Sequence, residues 1–157
     1  MSGNLREKVE LALLELRRIT EAHAQIIRKS ETTKPPTQIE LSAAAYMLQS
    51  VYTWVENIFK RVAQDIDGNV PETHAWHRDL LLAMSRATEN RPAVISRDLL
   101  EVLRDYMGFR HFSRNASALF LDWDEMVPLV RRANSMIEKL SEELSRFLSK
   151  VEEDWNR

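Results

Sequence analysis

The residues most able to do chemistry are concentrated between positions 104 and 117, where three arginines and a histidine stand among aromatic residues. The arginines are Arg104, Arg110 and Arg114, and the histidine is His111. An arginine presents a fixed fork of donors that matches phosphate oxygens, and a histidine can exchange a proton near neutral pH. Metal-independent RNA cleavage needs these residue types, because one group assists the 2′-hydroxyl and cations stabilise the charge on phosphorus. The alternative is that the arginines only balance carbonyl groups at a helix end.

Other kinds of catalytic site are poorly represented. His74 and His77 are three residues apart and could share a helix face, but the chain has no cysteine and no Glu-x-x-His pair to complete a metal site. We therefore expect no metal, and we expect His77 to pack or cap near a helix start. The sequence contains neither the Gly-x-Ser-x-Gly turn of serine hydrolases nor a Gly-x-x-x-x-Gly-Lys phosphate loop, and it predicts no cofactor.

The composition indicates one folded domain with no general affinity for nucleic acid. The 157 residues correspond to a single domain, and 44% hydrophobic residues exclude a disordered chain. Lysine and arginine number 22 against 24 acidic residues, so the net charge is −2 and any RNA site must be local. No apolar run approaches the ~18–20 residues of a membrane span, and residues 1–10 do not resemble a signal peptide. We expect a cytosolic protein.

The spacing of apolar residues predicts a fold built from helices, since most gaps are three or four residues. Thr37 and Glu40 form a capping-box pattern at the start of the second helix, and Gly68 can end that helix in the left-handed conformation. Ser96 can cap the fourth helix, and we expect Gly108 to weaken or end it. The predicted helices cover residues 5–30, 38–67, 73–87, 97–108 and 125–155.

Asp122 and Glu125 give a second capping-box pattern before the last helix. No stretch alternates between apolar and polar residues as a strand does, and no internal repeat is present. The predicted fold class is therefore an all-α, up-and-down bundle of about five helices in a single domain, residues 1–157.

Four sequence blocks carry a resemblance to a known family. They are YTWVENIF at residues 52–59, WHRDLL at 76–81 after Pro71, RPAVIS at 91–96 and FRHFSR at 109–114. In this order they resemble the HEPN superfamily, in its HepT-like group, the ribonuclease half of prokaryotic HEPN/nucleotidyltransferase toxin–antitoxin pairs. The resemblance implies a HEPN-type helical bundle and a two-fold dimer in which both motifs face one cleft. It also implies a nucleotidyltransferase antitoxin and RNA as partners.

The resemblance also implies the site residues. The family motif is an arginine, a polar neighbour and a histidine after four to six intervening positions. Arg110 and His111 match its first two members, and Asn115 stands where the histidine is expected. Ser117 stands where related toxins often carry a tyrosine that an antitoxin can modify with adenylate. Asparagine has no titratable proton near pH 7, so Asn115 cannot act as a general acid or base.

The spacing leaves a second assignment of the motif open. Arg104 and His111 have six residues between them, which also fits the loose spacing, although the FRHxxR context favours Arg110. On an unbroken helix five residues turn about 500°, which leaves Arg110 and Asn115 about 140° apart. We therefore expect the two to converge only if the helix bends or begins here, or if two copies share the site.

Three functional hypotheses follow from these residues. The first is an endoribonuclease toxin in which Arg110 stabilises phosphate, His111 positions or protonates, and Arg104 and Arg114 bind RNA. The second is a nuclease-inactive HEPN protein that binds RNA or an antitoxin, as Asn115 and the residue at 117 indicate. The third is a helical bundle in which the charged segment is only structural.

Overall fold

The computed structural model describes residues 2–115 and 118–157, and α-helices dominate both ranges. Within these ranges the only extended pairing is one antiparallel bridge, between Thr88 and Arg91 in a loop. The prediction of an all-α fold is confirmed, with six described α-helices rather than about five. They are α1 (Ser2–Ala22), α2 (Ala24–Lys29), α3 (Gln38–Val62), α4 (Trp76–Met84), α5 (Arg97–Asn115) and α6 (Trp123–Trp155). A π-helical turn (Ala63–Asp67) continues α3, and a 3-10 turn (Ala118–Phe120) precedes α6.

The additional helix arises because the first predicted helix divides at His23. The backbone of His23 leaves the α region, with φ −111° and ψ 23°. Its ring Nδ1 lies 2.8 Å from the carbonyl oxygen of Ile19, one turn earlier. The short helix α2 then directs Ile26 and Ile27 into the core.

Helix α3 is the centre of the bundle and contacts α1, α4, α5 and α6. Helices α1 and α6 run antiparallel on one side of it. Arg6 near the start of α1 pairs with Glu152 near the end of α6 at 2.6 Å, and Arg131 near the start of α6 donates to the carbonyl oxygen of Ser30 after α2. Helices α1 and α6 both pack against α3 and hold it in position. Helix α3 carries part of the candidate site.

The long helices bury the stripes that their periodicity predicts. In α6 the buried residues recur at three- and four-residue intervals, and the exception to the predicted stripe is Trp155, which is 47% exposed. None of the described helices combines the length and the apolar character needed to cross a membrane. The buried members of the predicted α6 stripe are Met126, Val130, Ala133, Ile137, Leu140, Leu144, Phe147 and Val151.

The predicted helix ends are largely confirmed. The Thr37 hydroxyl accepts from the backbone N–H of Glu40 at 3.1 Å, and the Glu40 carboxylate accepts from the N–H of Thr37 at 2.9 Å. Gly68 follows the π turn with φ 86°, a conformation that suits glycine. Ser96 Oγ accepts from the N–H of Leu99 at 3.1 Å and caps α5. The last helix begins at Trp123 instead of Glu125, and Asp122 caps it by accepting from the N–H of Asp124, so the predicted box with Glu125 is not the cap that forms.

Gly108 does not end the predicted fourth helix, because α5 continues to Asn115; the alternative, that it weakens the helix, stays a prediction. A glycine inside a helix costs only about 1 kcal/mol relative to alanine. That cost is smaller than the gain from burying one face of α5 before and after Gly108. The buried residues of this face include Leu103, Tyr106 and Arg110. As a result residues 109–115 continue the same helix.

Arg91 holds the loop between α4 and α5. Its side chain is fully buried and donates to both carboxylate oxygens of Asp67, at 2.7 and 3.0 Å. It also donates to the carbonyl oxygens of Arg86 at 2.9 Å and Ala83 at 3.3 Å. Through these contacts Arg91 links the end of α4 to the π-helical turn after α3 and holds α4 against α3.

Candidate functional site

One face of α3 presents a line of polar side chains toward α4 and α5. Thr53, Glu56 and Lys60 follow one another at intervals of three and four residues, which places them on the same side of the helix. Glu56 is the buried member, with 6% of its side chain exposed. A buried carboxylate must be paired or hydrogen-bonded because removing its charge from water is costly, and α5 and α4 supply its partners.

Arg110 of α5 is the first partner of Glu56. Its Nη2 donates to Glu56 Oε2 at 2.8 Å, and only 4% of its side chain is exposed. Its Nη1 lies 3.4 Å from the hydroxyl oxygen of Thr53, and its guanidinium carbon lies 4.7 Å from the ring centre of Tyr52. The guanidinium is therefore enclosed between a carboxylate and an aromatic face inside the monomer.

His77, in the first turn of α4, is the second partner of Glu56. Its Nδ1 lies 2.7 Å from the same Oε2 atom and 3.2 Å from Nη2 of Arg110. In contrast with the other two groups, 38% of its side chain is exposed. The expectation that His77 packs near a helix start is consistent with this position, but its main contact is with a buried acid.

The geometry fixes the tautomer of His77. An ionised carboxylate can only accept and an arginine can only donate. Because Arg110 and His77 both approach Oε2 of Glu56 at hydrogen-bond distance, Nδ1 must carry a hydrogen. The 3.2 Å between Nη2 and Nδ1 therefore separates two donors that share one acceptor. In the neutral ring the lone pair is then on Nε2.

An aromatic ring packs against His77, and a cation lies over that aromatic ring. The rings of Trp76 and His77 are 3.7 Å apart between centres. The Nζ of Lys60 lies 4.6 Å over the Trp76 ring. Lys60 also lines a cavity of about 500 Å³ between α1 and α3.

Tyr52 lies beneath the guanidinium in the protein interior. Burial, with a further contribution from the charge of Glu56, raises the pKa of the Tyr52 phenol above its ordinary value. Its hydroxyl makes no hydrogen bond with any described residue. Tyr52 is therefore a neutral aromatic support for Arg110 at ordinary pH.

Arg110, His111 and Asn115, the three predicted catalytic residues, do not converge within one chain. Arg110 is buried, whereas His111 and Asn115 are exposed on the unbroken helix α5. The amide nitrogen of Asn115 donates to the backbone carbonyl oxygen of His111 at 2.8 Å. This arrangement agrees with the angle of about 140° expected from an unbent helix.

The remaining predicted positions lie along or beyond the same helix. Arg104 is exposed and pairs with Glu101 at 3.0 Å. Arg114 is exposed and forms no ion pair with the residues that the structure describes. Ser117, the predicted modification position, lies outside the described residues. In the described ranges no group of three or more histidine, aspartate or glutamate side chains is placed to hold a metal ion.

Glu56 and His77 contact Arg110 but are absent from the site residues that the sequence predicts. Both stand in the quoted blocks, at 52–59 and 76–81, but neither was assigned to the site. One signal for Glu56 was available: it lies one turn after Tyr52 and one turn before Lys60, on the buried side of an otherwise apolar helix. An acid at such a position requires a cationic partner from another helix.

Comparison with known proteins gives one positive result. Residues 43–151, which are more than half of the chain, match the family described as HepT-like protein. The matched region includes α4, α5 and most of α3, and it therefore contains Glu56, His77 and Arg110. Comparison with curated proteins and with solved structures finds no significant match.

Proposed function

Because the chain belongs to the HepT-like protein family, we propose that it is the toxin of a HEPN/nucleotidyltransferase toxin–antitoxin pair and cleaves cellular RNA without a metal. The observation that carries this proposal is the contact of Arg110 with an imidazole around one buried carboxylate. An arginine and a titratable histidine are the groups that such cleavage requires. The proposed location is the cytosol.

The proposed active form is a homodimer with the two motif helices facing one cleft. Apolar side chains next to the motif support an interface there: Phe112 is 45% exposed, Leu119 84% and Phe120 72%. A two-fold axis would bring His111, Arg114 and Asn115 of both copies together and double a modest basic patch. The proposed partner that silences the toxin is a nucleotidyltransferase, with Ser117 at the position of modification.

The choice of variant matters for testing this function. Arg110→Ala would leave Glu56 as a buried charge with one fewer donor, so a loss of cleavage could come from a loss of folding. A variant at the exposed position 115 avoids this difficulty. Asn115→His restores the motif histidine at an exposed position whose side chain donates to the backbone of its own helix.

The test is cleavage of total RNA in EDTA by the purified protein and by its Asn115→His variant. We expect both to cleave, with the variant faster by about 10²-fold or more, since a general acid or base contributes roughly 10²–10⁴-fold. Asn115→Gln is the matched control because it keeps an amide at the same position. Absence of cleavage by all three proteins would contradict the proposed ribonuclease function.

A second candidate function is a nuclease-inactive HEPN protein that binds RNA or the antitoxin. Asn115 favours it, because its amide is directed to the backbone of α5 and has no proton to transfer near pH 7. This function predicts dimerisation and complex formation without cleavage. EDTA-resistant RNA cleavage by the pure, unmodified chain would refute it.

A further inference from the structure

We propose that His77 is the general base of the RNA-cleavage reaction and that Glu56 is its positioning residue. The inference rests on the proposed ribonuclease function and assigns the proton transfer that Asn115 cannot perform. Its basis is an imidazole held through Nδ1 on a buried carboxylate, with 38% of its side chain exposed. Nε2 makes no hydrogen bond with the described part of the chain, so it is available to accept a proton.

The burial of Glu56 does not by itself require His77. Arg110 already supplies a buried positive charge at 2.8 Å from the same oxygen, which pairs the carboxylate. The second donor, His77, is partly exposed, so its contact with Glu56 adds little stability through burial. What the contact with Glu56 does achieve is to fix one tautomer and one orientation of the ring. A base benefits from this, because a fixed Nε2 lone pair is already oriented to accept the proton of a substrate hydroxyl.

The other histidine near the motif is less suited to this role. His111 is exposed on α5, and its side chain makes no hydrogen bond with the described residues. Nothing therefore selects which of its nitrogens carries the proton. His77 differs because a carboxylate, itself anchored by Arg110, determines the protonated nitrogen.

The charges around His77 favour a phosphate group. The charged groups around it are Glu56 of α3 and Arg110 of α5, which both lie against its Nδ1, and Lys60 of α3, whose Nζ lies over the ring of the neighbouring Trp76. The guanidinium of Arg110 and the carboxylate of Glu56 offset each other, so the cation of Lys60 remains. Lys60 reaches the site over the Trp76 ring, which contacts the ring of His77. This cation can stabilise the charge that grows on the phosphate oxygens.

The proposed step balances without a metal or a co-reactant other than water. Nε2 of His77 takes the proton of the RNA 2′-hydroxyl as the 2′-oxygen forms a bond to phosphorus. The bond from phosphorus to the 5′-oxygen breaks, and that oxygen takes a proton from water. The imidazolium then returns its proton to the hydroxide that remains. The products are a 2′,3′-cyclic phosphate and a 5′-hydroxyl end.

The experiment compares cleavage of total RNA in EDTA by the unmodified chain, His77→Gln, Glu56→Gln and Asn115→His. His74→Gln is the matched control, because His74 is exposed in the loop before α4 and lies outside the site. We expect His77→Gln to lose at least about 10²-fold in rate and His74→Gln to keep the original rate. Glu56→Gln should lose less, and its rate should depend on pH differently because the ring is no longer fixed.

The outcomes separate this inference from the function on which it rests. If the unmodified chain cleaves RNA and His77→Gln cleaves equally well, the inference is overturned and the ribonuclease function remains. Cleavage by Asn115→His alone would assign proton transfer to position 115 and would also overturn the inference. If neither the unmodified chain nor Asn115→His cleaves, both proposals fail.

The deciding part of a second measurement is made on the unmodified protein. Nitrogen-15 NMR of the imidazole distinguishes the two tautomers in the unmodified protein. We expect His77 to carry its hydrogen on Nδ1 when the ring is neutral, and Glu56→Gln to shift the population toward the other tautomer. A ring that carries its hydrogen on Nε2 in the unmodified protein would overturn the assignment of the base.

Discussion

Arg110 occupies a position in the α5 stripe that would ordinarily hold an apolar residue. The buried residues of this stripe are spaced like those of a core helix, and Arg110 follows Leu103 and Tyr106 along it. A charge in this position is stable only because Glu56 lies opposite at 2.8 Å. At the scale of the single residue, the motif arginine is therefore also part of the core.

This dual position leads to a prediction for Arg110→Met. Removing the guanidinium leaves the Glu56 carboxylate buried with His77 as its remaining donor, and we expect a loss of about 3–5 kcal/mol in the free energy of unfolding. Combining it with Glu56→Leu should recover most of that loss, because no charge is then buried. Urea denaturation of the single and double variants measures both values. If the loss in the double variant equals the sum of the losses in Arg110→Met and Glu56→Leu, the ion pair does not couple these residues.

A second prediction at this scale concerns Glu40 and acid. A hydrogen bond from Lys29, at 2.6 Å, is the largest influence that lowers the pKa of Glu40 below 4.5, and the backbone N–H of Thr37 adds to it. Because the folded-state pKa is the lower one, the ionised form stabilises the fold above about pH 4.5, and this contribution is lost as pH falls. We expect Glu40→Gln to flatten the decline in stability below about pH 5.

Thermal unfolding across pH 3–7 measures this effect. Glu7→Gln is the matched control, because Glu7 is exposed on α1 and makes no side-chain hydrogen bond with the described residues. The same pH profile for Glu40→Gln and the unmodified chain would contradict the assignment. A pH profile that flattens as much in Glu7→Gln as in Glu40→Gln would also contradict it.

At the scale of the elements, the continuity of α5 decides where the motif residues lie. Gly108 is the weakest point of this helix, and its exposed position has room for a side chain, since an added Cβ would meet no heavy atom within 4 Å. Its backbone has negative φ, so alanine fits without strain. Buried residues of α5 on either side of Gly108 stabilise the helix here. The Tyr106 hydroxyl also donates to the carbonyl oxygen of Leu129 in α6 at 2.6 Å.

We therefore expect Gly108→Ala to stabilise the protein by about 0.5–1 kcal/mol, because alanine loses less backbone freedom on folding. Gly68→Ala is the opposing control. Gly68 has φ 86°, which strains any residue with a side chain, so this variant should be destabilised. Urea denaturation midpoints measure both changes. Destabilisation by Gly108→Ala would show that α5 does not continue through this position in solution.

The helices could be predicted from the sequence because their signals are local. The Thr37–Glu40 box and the Ser96 cap lie within four residues of the ends that they define, and apolar spacing sets the buried faces. Gly108 does not end α5, because a single propensity is weaker than the burial of a whole stripe. The cluster of Glu56, His77 and Arg110 could not be predicted, since its members stand on three helices and only tertiary packing joins them.

At the scale of the whole molecule, the proposed binding of RNA by a chain of net charge −2 requires a local surface. The buried Arg110 contributes little to such a surface, because its charge is paired with Glu56. The exposed Arg114, one turn further along α5, has no ion pair within the described part of the chain. Arg104 is less favourable, because it pairs with Glu101 and lies about 15 Å along the helix from Arg114.

We therefore expect Arg114→Ala to weaken RNA binding more than Arg104→Ala does. Each lost phosphate contact lowers the slope of log affinity against log salt concentration by about 1, and two such contacts are lost in a dimer. Binding of total RNA at several salt concentrations measures the slope, with cleavage blocked by His77→Gln in every protein. Arg146→Ala on α6 is the matched control, because it removes the same charge from an exposed site on another helix. Equal slopes for all these variants would show that overall charge, and not the exposed end of α5, governs binding to RNA.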